Sequence, residues 1–252
     1  MSKKVLILAS NYGLWAEELQ APWDALKKAG HRLTLATKLG KKPLPIMVSV
    51  DPNFIDPMQN VPVNPPEVVH RVRALLEGDE WAHPIKITDA HMKDYDTIVI
   101  VGGPGASIDL AGNIFVHNLI LGAYKSNKII GALCYGVGAL PFTRDPDNAN
   151  KSIIYGKTVV AHPHAWDFTS DMDYPLYGAT PDNHGTDLVT AGFLFPLQYM
   201  VEDAVGPNGK VIPDVTATRE KPCVMFDTPF VTGLSVESSI GFGKKLVEVL
   251  SK

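Results

Sequence analysis

Residues 128–142 read KIIGALCYGVGALPF. An apolar run ends at Cys134, Tyr135 and Gly136 interrupt it, and a small-residue segment follows. A short, continuously apolar run reads as a strand covered on both faces, as in a parallel sheet. In an open α/β sheet, ligands bind beyond the carboxyl ends of the strands, and Cys134 stands at such an end. The glycines after it let the backbone turn sharply into a helix, the layout of a nucleophile elbow with cysteine in place of serine. That layout holds a side chain exposed at the mouth of a crevice, beside a helix N-terminus whose field favours thiolate over thiol. Free cysteine is also commonly a small buried hydrophobe. Cys223, inside EKPCVMFD, fits that description; its strand-end position and flanking glycines set Cys134 apart.

The flanking sequence supplies the rest of a sheet. VLILAS (5–10) is a second buried strand, 17–30 a helix with Leu19, Trp23 and Leu26 at helical spacing and Gly30 as its stop, and RLTLAT (32–37) the next strand. Strand, helix and strand within about thirty residues make the βαβ unit of a parallel sheet. DTIVIVGG (96–103) and KTVVAHP (157–163) read as further strands, and 114–124 as a helix. CVMFDTPFVTGL (223–234) has strand-like stretches around Pro229, and 235–250 closes as a helix. PPEVVHRVRALLEG (65–78) is amphipathic, with Val68, Val69, Val72, Leu75 and Leu76 on one face and prolines at its start. Two stretches break the alternation: 40–63, with Pro43, Pro45, Pro52, Pro57 and Pro62, and 164–187, rich in Asp, Tyr, Pro and Gly. Long irregular stretches in a compact domain are often functional. The pattern predicts a mostly parallel three-layer α/β sandwich in one domain over 1–252.

Composition narrows the classes. The chain has 252 residues, 45% hydrophobic and 20% charged, with a net charge of −4. That balance argues against a nucleic-acid surface or a polybasic membrane patch. The longest apolar runs are too short to span a bilayer. MSKKVLILASNYG begins like a signal peptide but continues into charged, helix-forming sequence, so it reads as a first strand. Two cysteines make no disulfide framework, which sets a reducing cytoplasm as the default location.

Other residues bear on chemistry. VGGPGAS (101–107) also ends a strand, and backbone N–H groups there suit an oxyanion. It lacks the P-loop lysine and matches a dinucleotide fingerprint poorly. Glu18 begins a helix, and Glu17 beside it points elsewhere, because adjacent helical residues share no face. A carboxyl near a thiolate holds its proton more tightly, although on spacing alone Glu18 reads first as a solvated surface glutamate. His162 and His164 form an H-x-H pair that on a strand would point the same way and suit a metal. The spacings of His83, His91 and His184 match no zinc pattern, and no metal is expected. Asp167 and Asp182 are both candidates to orient a histidine.

IVGGPGA, ALCYGVGAL about thirty residues later, and LWAEELQAPWDALKKAG near the start together resemble the ThiJ/PfpI superfamily. The nearest likeness is to its heat-shock chaperone-like, glutathione-independent glyoxalase branch. The resemblance implies a flavodoxin-like, class I glutamine amidotransferase-like fold with an inserted lobe at about 40–92. It places the reactive cysteine on Cys134, the acid on Glu18, the histidine on His162 and the backbone donors on Gly103 and Tyr135. His164 is the alternative histidine, at a spacing that suits the role as well. Relatives with proposed triads carry histidine directly after the cysteine, where this chain has Tyr135. HPH followed by AWD departs from the His-Pro-Glu pattern of amidotransferases.

The expectation is a lyase-type enzyme that uses Cys134 to convert small carbonyls such as methylglyoxal to lactate, with no dissociable cofactor. A stress-responsive holding chaperone or a thiol-oxidation sensor is the alternative, and a cysteine hydrolase or hydratase a further one. WDFTSDMDYPLYG (166–178) is suited to line a pocket. The resemblance implies a homodimer, with Trp15 of NYGLW at an interface or in a pocket.

Overall fold

A computed structural model of the chain describes residues 1–167, 172–180, 188–190 and 196–252. Its first half runs β1 (Lys4–Leu8), α1 (Ala16–Lys28), β2 (Arg32–Thr37), α2 (Pro66–Glu77), β3 (Ile85–Lys86), β4 (Thr97–Ile100), a single turn α3 (Ala106–Asp109), α4 (Ile114–Lys125) and β5 (Ile129–Leu133). After a 3₁₀ turn at Cys134–Gly138 come α5 (Ala139–Phe142), β6 (Arg144–Asp145), β7 (Lys151–Ser152) and β8 (Thr158–Val160). Then follow β9 (Met172–Tyr174), β10 (Leu188–Thr190), α6 (Leu197–Val205), β11 (Lys210–Ile212), β12 (Val224–Asp227), β13 (Phe230–Gly233) and α7 (Ser239–Leu250).

Among the described residues, seven strands form the central sheet in the order β12-β13-β5-β4-β1-β2-β3. Every neighbouring pair is parallel except β12 with β13, a hairpin through a cis Thr228–Pro229 bond. Val5–Ala9 and Ile98–Val101 are fully buried. Helices cover both faces, which is why these strands are apolar at successive positions instead of alternate ones. This is the flavodoxin-like, three-layer α/β arrangement that the sequence predicted. α7 lies directly over β5: a Cβ on Gly131 would stand 3.0 Å from Leu246 and 3.1 Å from Phe242.

Register carries the strand ends to one place. Leu8 pairs with Ile100, Ile100 with Ala132, and Leu133 with Gly233. The segments that leave β1, β4, β5 and β13 therefore emerge side by side at one edge of the sheet. The chain steps from β1 outward to β2 on one side and returns to β4 on the other, so this edge is the topological switch point.

Several predicted elements shift. The 157–163 stretch is a strand only at Thr158–Val160, and it pairs with β11 in a separate two-stranded sheet. The last helix starts at Ser239, because 235–238 turn through a short 3₁₀ segment first. The 40–92 stretch holds α2 beside α1, tied by Arg71–Asp24 at 2.7 Å, and contributes β3 to the sheet edge. No described helix is long and apolar enough to cross a membrane.

Candidate active site

Cys134 follows β5 with φ +53, a left-handed conformation rare for a non-glycine residue. Holding it there costs about 1–3 kcal/mol, so the surroundings must enforce it. They do so through glycines in the turn just beyond the neighbouring strand β4. A Cβ on Gly102 would stand 2.6 Å from Glu18 Oε2 and 2.7 Å from the Tyr135 nitrogen. Gly103 has φ +92, and a Cβ there would collide with the Leu14–Trp15 backbone. Two tight turns and the start of α1 thus close on one point.

The result is a cavity of about 40 Å³ lined by Glu18, Gly103, Cys134, Tyr135, His162 and Ser235. Trp15, Ile46, Asp56, Gln59, Trp166 and Val236 close it. Cys134 Sγ lies 3.7 Å from Ser235 Oγ. His162 is 7% exposed, and its ring lies 4.8 Å from that of Tyr135. Asp167 gathers three groups: Tyr135 donates its hydroxyl hydrogen at 3.1 Å, and the Nδ1 atoms of His164 and His162 stand at 3.1 and 3.4 Å. His164 is exposed and reaches Asp167 from outside the cavity. The two histidines therefore converge on a carboxylate after the strand has ended, instead of projecting in parallel from it. Among the described residues, no group of three or more His, Cys, Asp or Glu side chains is arranged to hold a metal ion.

The electrostatics correct one expectation. Cys134 is 4% exposed, closed over instead of standing at an open mouth. Burial pushes its thiol well above the ordinary value, and the charge of Glu18 adds to this. Ser235 and the Tyr135 N–H pull the other way but do not win. The segment after the sulfur is a 3₁₀ turn and one short helix, too brief for a large dipole field. Burial likewise drives the Glu18 carboxyl well above the usual carboxylate range. Contact with the Cys134 sulfur lowers it in part, while Glu237 and Glu17 raise it further. Two groups that both resist ionisation in contact titrate as a pair. Burial also works to raise Asp167, but His162, His164 and Tyr135 together hold it below the ordinary value.

Glu17 does point away from the cavity, yet it is 1% exposed. It accepts two hydrogen bonds of 2.6 Å from Arg219, which lies 202 residues along the chain. Nothing in the sequence connects the two. Ser235 also escaped the sequence reading, although its position just past β13 was a usable signal. Trp15 is a buried cavity aromatic. Asp182 and His184 lie outside the described residues, as does part of 166–178.

A family model described as ThiJ/PfpI family-like matches residues 9–163. The glutathione-independent glyoxalase hsp3101 of Schizosaccharomyces pombe is 25% identical over 177 residues, 63% of this chain and 66% of that protein. Its relative hsp3102 from the same yeast is 23% identical over 66% of this chain and 68% of that protein. The chain thus spans about two thirds of the length of these relatives. Among solved structures, Rapid Encystment Protein 24 KDa of Francisella tularensis superposes with a TM-score of 0.69 at 20% identity, covering 98% of this chain and 99% of that one. Glyoxalase III from Candida albicans gives 0.66 at 18%, covering 98% and 96%.

Proposed function

The chain belongs to the ThiJ/PfpI family, and from that premise we propose that it is a cysteine-dependent, glutathione-independent glyoxalase acting on small 2-oxoaldehydes such as methylglyoxal. The observation that carries this reading is the single small cavity shared by Cys134, Glu18 and His162. Its volume is far below the ~300–1,000 Å³ of drug-sized ligand sites, which favours a few-atom substrate over a peptide. The resemblance to glyoxalase-named relatives points the same way.

In this scheme the carboxylate form of Glu18 takes the thiol proton, and its raised affinity for protons lets it compete for one with a thiol that also resists ionisation. Sγ adds to the aldehyde carbon and gives a hemithioacetal. The backbone N–H groups of Gly103 and Tyr135 hold the developing oxyanion. His162, whose Nδ1 stands 3.4 Å from Asp167, carries the proton from C1 to C2 through an enediolate. Glu18 returns its proton to the C2 oxygen, which completes a 2-hydroxyacyl thioester on Cys134, and water releases lactate and the free thiol. No dissociable cofactor takes part, and the substrate is a small molecule.

The experiment is lactate formation from methylglyoxal by the wild type and Cys134→Ala. The variant is expected to make none. Undiminished turnover would exclude the covalent scheme, and a wild type that makes no lactate would remove the glyoxalase assignment. A holding chaperone is the second reading, because Met47, Ile55 and Val61 each leave more than a third of their surface exposed within the 40–92 stretch. Light scattering of a heat-unfolded client protein separates it: no suppression of aggregation removes it.

A further inference from the structure

A second cavity adjoins the one around Cys134. It holds about 290 Å³ and lies between the 59–63 loop, residues 217–220 and the turn at Val236–Glu237. The two cavities have only Gln59 and Val236 in common. Space that would hold several times the volume of the reaction cavity therefore meets that cavity at these two residues.

The two halves of this partition are built differently. Val236 is buried in an apolar cluster with Trp15, Leu44, Ile46, Val63 and Leu176, so it is fixed by packing. Gln59 stands on a loop that folds around Asp56. Asp56 Oδ1 accepts from the N–H groups of Met58 and Gln59 at 2.8 and 2.9 Å, and the Asp56 N–H donates to Val61 O at 2.9 Å. This loop belongs to the irregular, proline-rich stretch whose role the sequence left unexplained. The far wall of the outer cavity includes Arg219, held in place by Glu17 and by the Val63 carbonyl. The partition thus joins one side chain held by packing to one carried on a loop.

We propose that Gln59 and Val236 are specificity-determining residues: they form the wall that limits the Cys134 cavity to electrophiles with tails of one or two carbons, and the outer cavity receives a longer tail only when that wall is cut back. The substrate side of this inference rests on the carbonyl chemistry proposed above; the wall itself does not. A pocket contact the size of one methylene discriminates about 10–200-fold, so a wall standing against a whole ring discriminates at least as strongly.

The test uses alkylation, which needs no turnover. Wild type, Gln59→Ala and Val236→Ala react with iodoacetamide and with its bulkier analogue 2-iodo-N-phenylacetamide. Labelling at Cys134 is followed by peptide mass spectrometry, which keeps Cys223 out of the count. Rates are normalised to those of a free thiol. The wild type is expected to prefer the small reagent by about tenfold or more, and either variant to narrow that preference by about tenfold. The two variants lie on separate elements, and Gln59 is a partly exposed loop residue, so a folding defect in one leaves the other informative. A wild type that shows no preference, or folded variants that keep it unchanged, would overturn the proposal. Methylglyoxal and phenylglyoxal turnover then separates the two readings. Discrimination in alkylation without lactate formation sinks the activity alone; lactate formation with no size preference sinks the wall alone.

Discussion

Removing Arg219 exposes how the acid end of the site is held. In Arg219→Met, Glu17 loses both 2.6 Å hydrogen bonds while remaining in a position 1% exposed. Breaking a buried ion pair from one side costs about 3–5 kcal/mol. The loss has a ceiling, because the stranded carboxylate can take up a proton. From an ordinary glutamate value of about 4.3 to pH 7, at about 1.4 kcal/mol per unit, protonation costs about 4 kcal/mol. Because burial already raises the wild-type carboxyl, the deficit at pH 7 should fall below that ceiling, at about 2–3 kcal/mol, a melting temperature lower by about 4–12 °C for a chain of this size. Burial already raises Glu17 in the wild type despite Arg219. Raising it further makes stability fall as pH rises, so the deficit must shrink on acidification, to about 1 kcal/mol at pH 5. Adding Glu17→Gln to Arg219→Met removes the stranded charge and should restore much of the loss. Calorimetry on the three proteins at pH 5 and 7 decides the matter. A deficit under about 1 kcal/mol at pH 7, or one that grows in acid, would refute the reasoning.

Two further variants probe the frame of the site. Asp167→Asn should cost about 1–3 kcal/mol at pH 7 by weakening the contacts to His162, His164 and Tyr135. Because Asp167 is held below its ordinary value, its contribution is present above about pH 4 and fades as pH falls through the folded value, so urea unfolding curves of variant and wild type should converge in acid; curves that diverge there contradict the account. Gly103→Ala combines a left-handed φ of +92 with a collision against the Leu14–Trp15 backbone, and should destabilise the chain by about 3 kcal/mol or more. A thermal scan showing Gly103→Ala as stable as the wild type would mean that the two turns do not close as described.

Much of the sheet was legible before any coordinates because its signals are local. Buried parallel strands must be apolar at every position, so the runs around Leu6, Val99 and Ile130 announced themselves, and 32–37 matched β2 at both ends. The strand-end rule then singled out Cys134 and the 101–107 turn, and parallel register set them side by side. The limits of β8 were harder to read, because a three-residue strand has too short a pattern to distinguish sheet from extended loop. Of the proton affinities, the direction for Glu18 was legible and that for the sulfur was not. The sequence reading expected a sulfur favoured as thiolate by a helix field, whereas enclosure by residues from six or more separate segments drives its pKa upward. What the chain determined alone was the order of elements and the residue types at their ends, since these depend on neighbours a few positions apart. Tertiary structure decided the pairing of Glu17 with Arg219, the approach of Ser235 to the sulfur and the wall at Gln59 and Val236, since desolvation and long-range contacts arise only when distant segments share one enclosed volume.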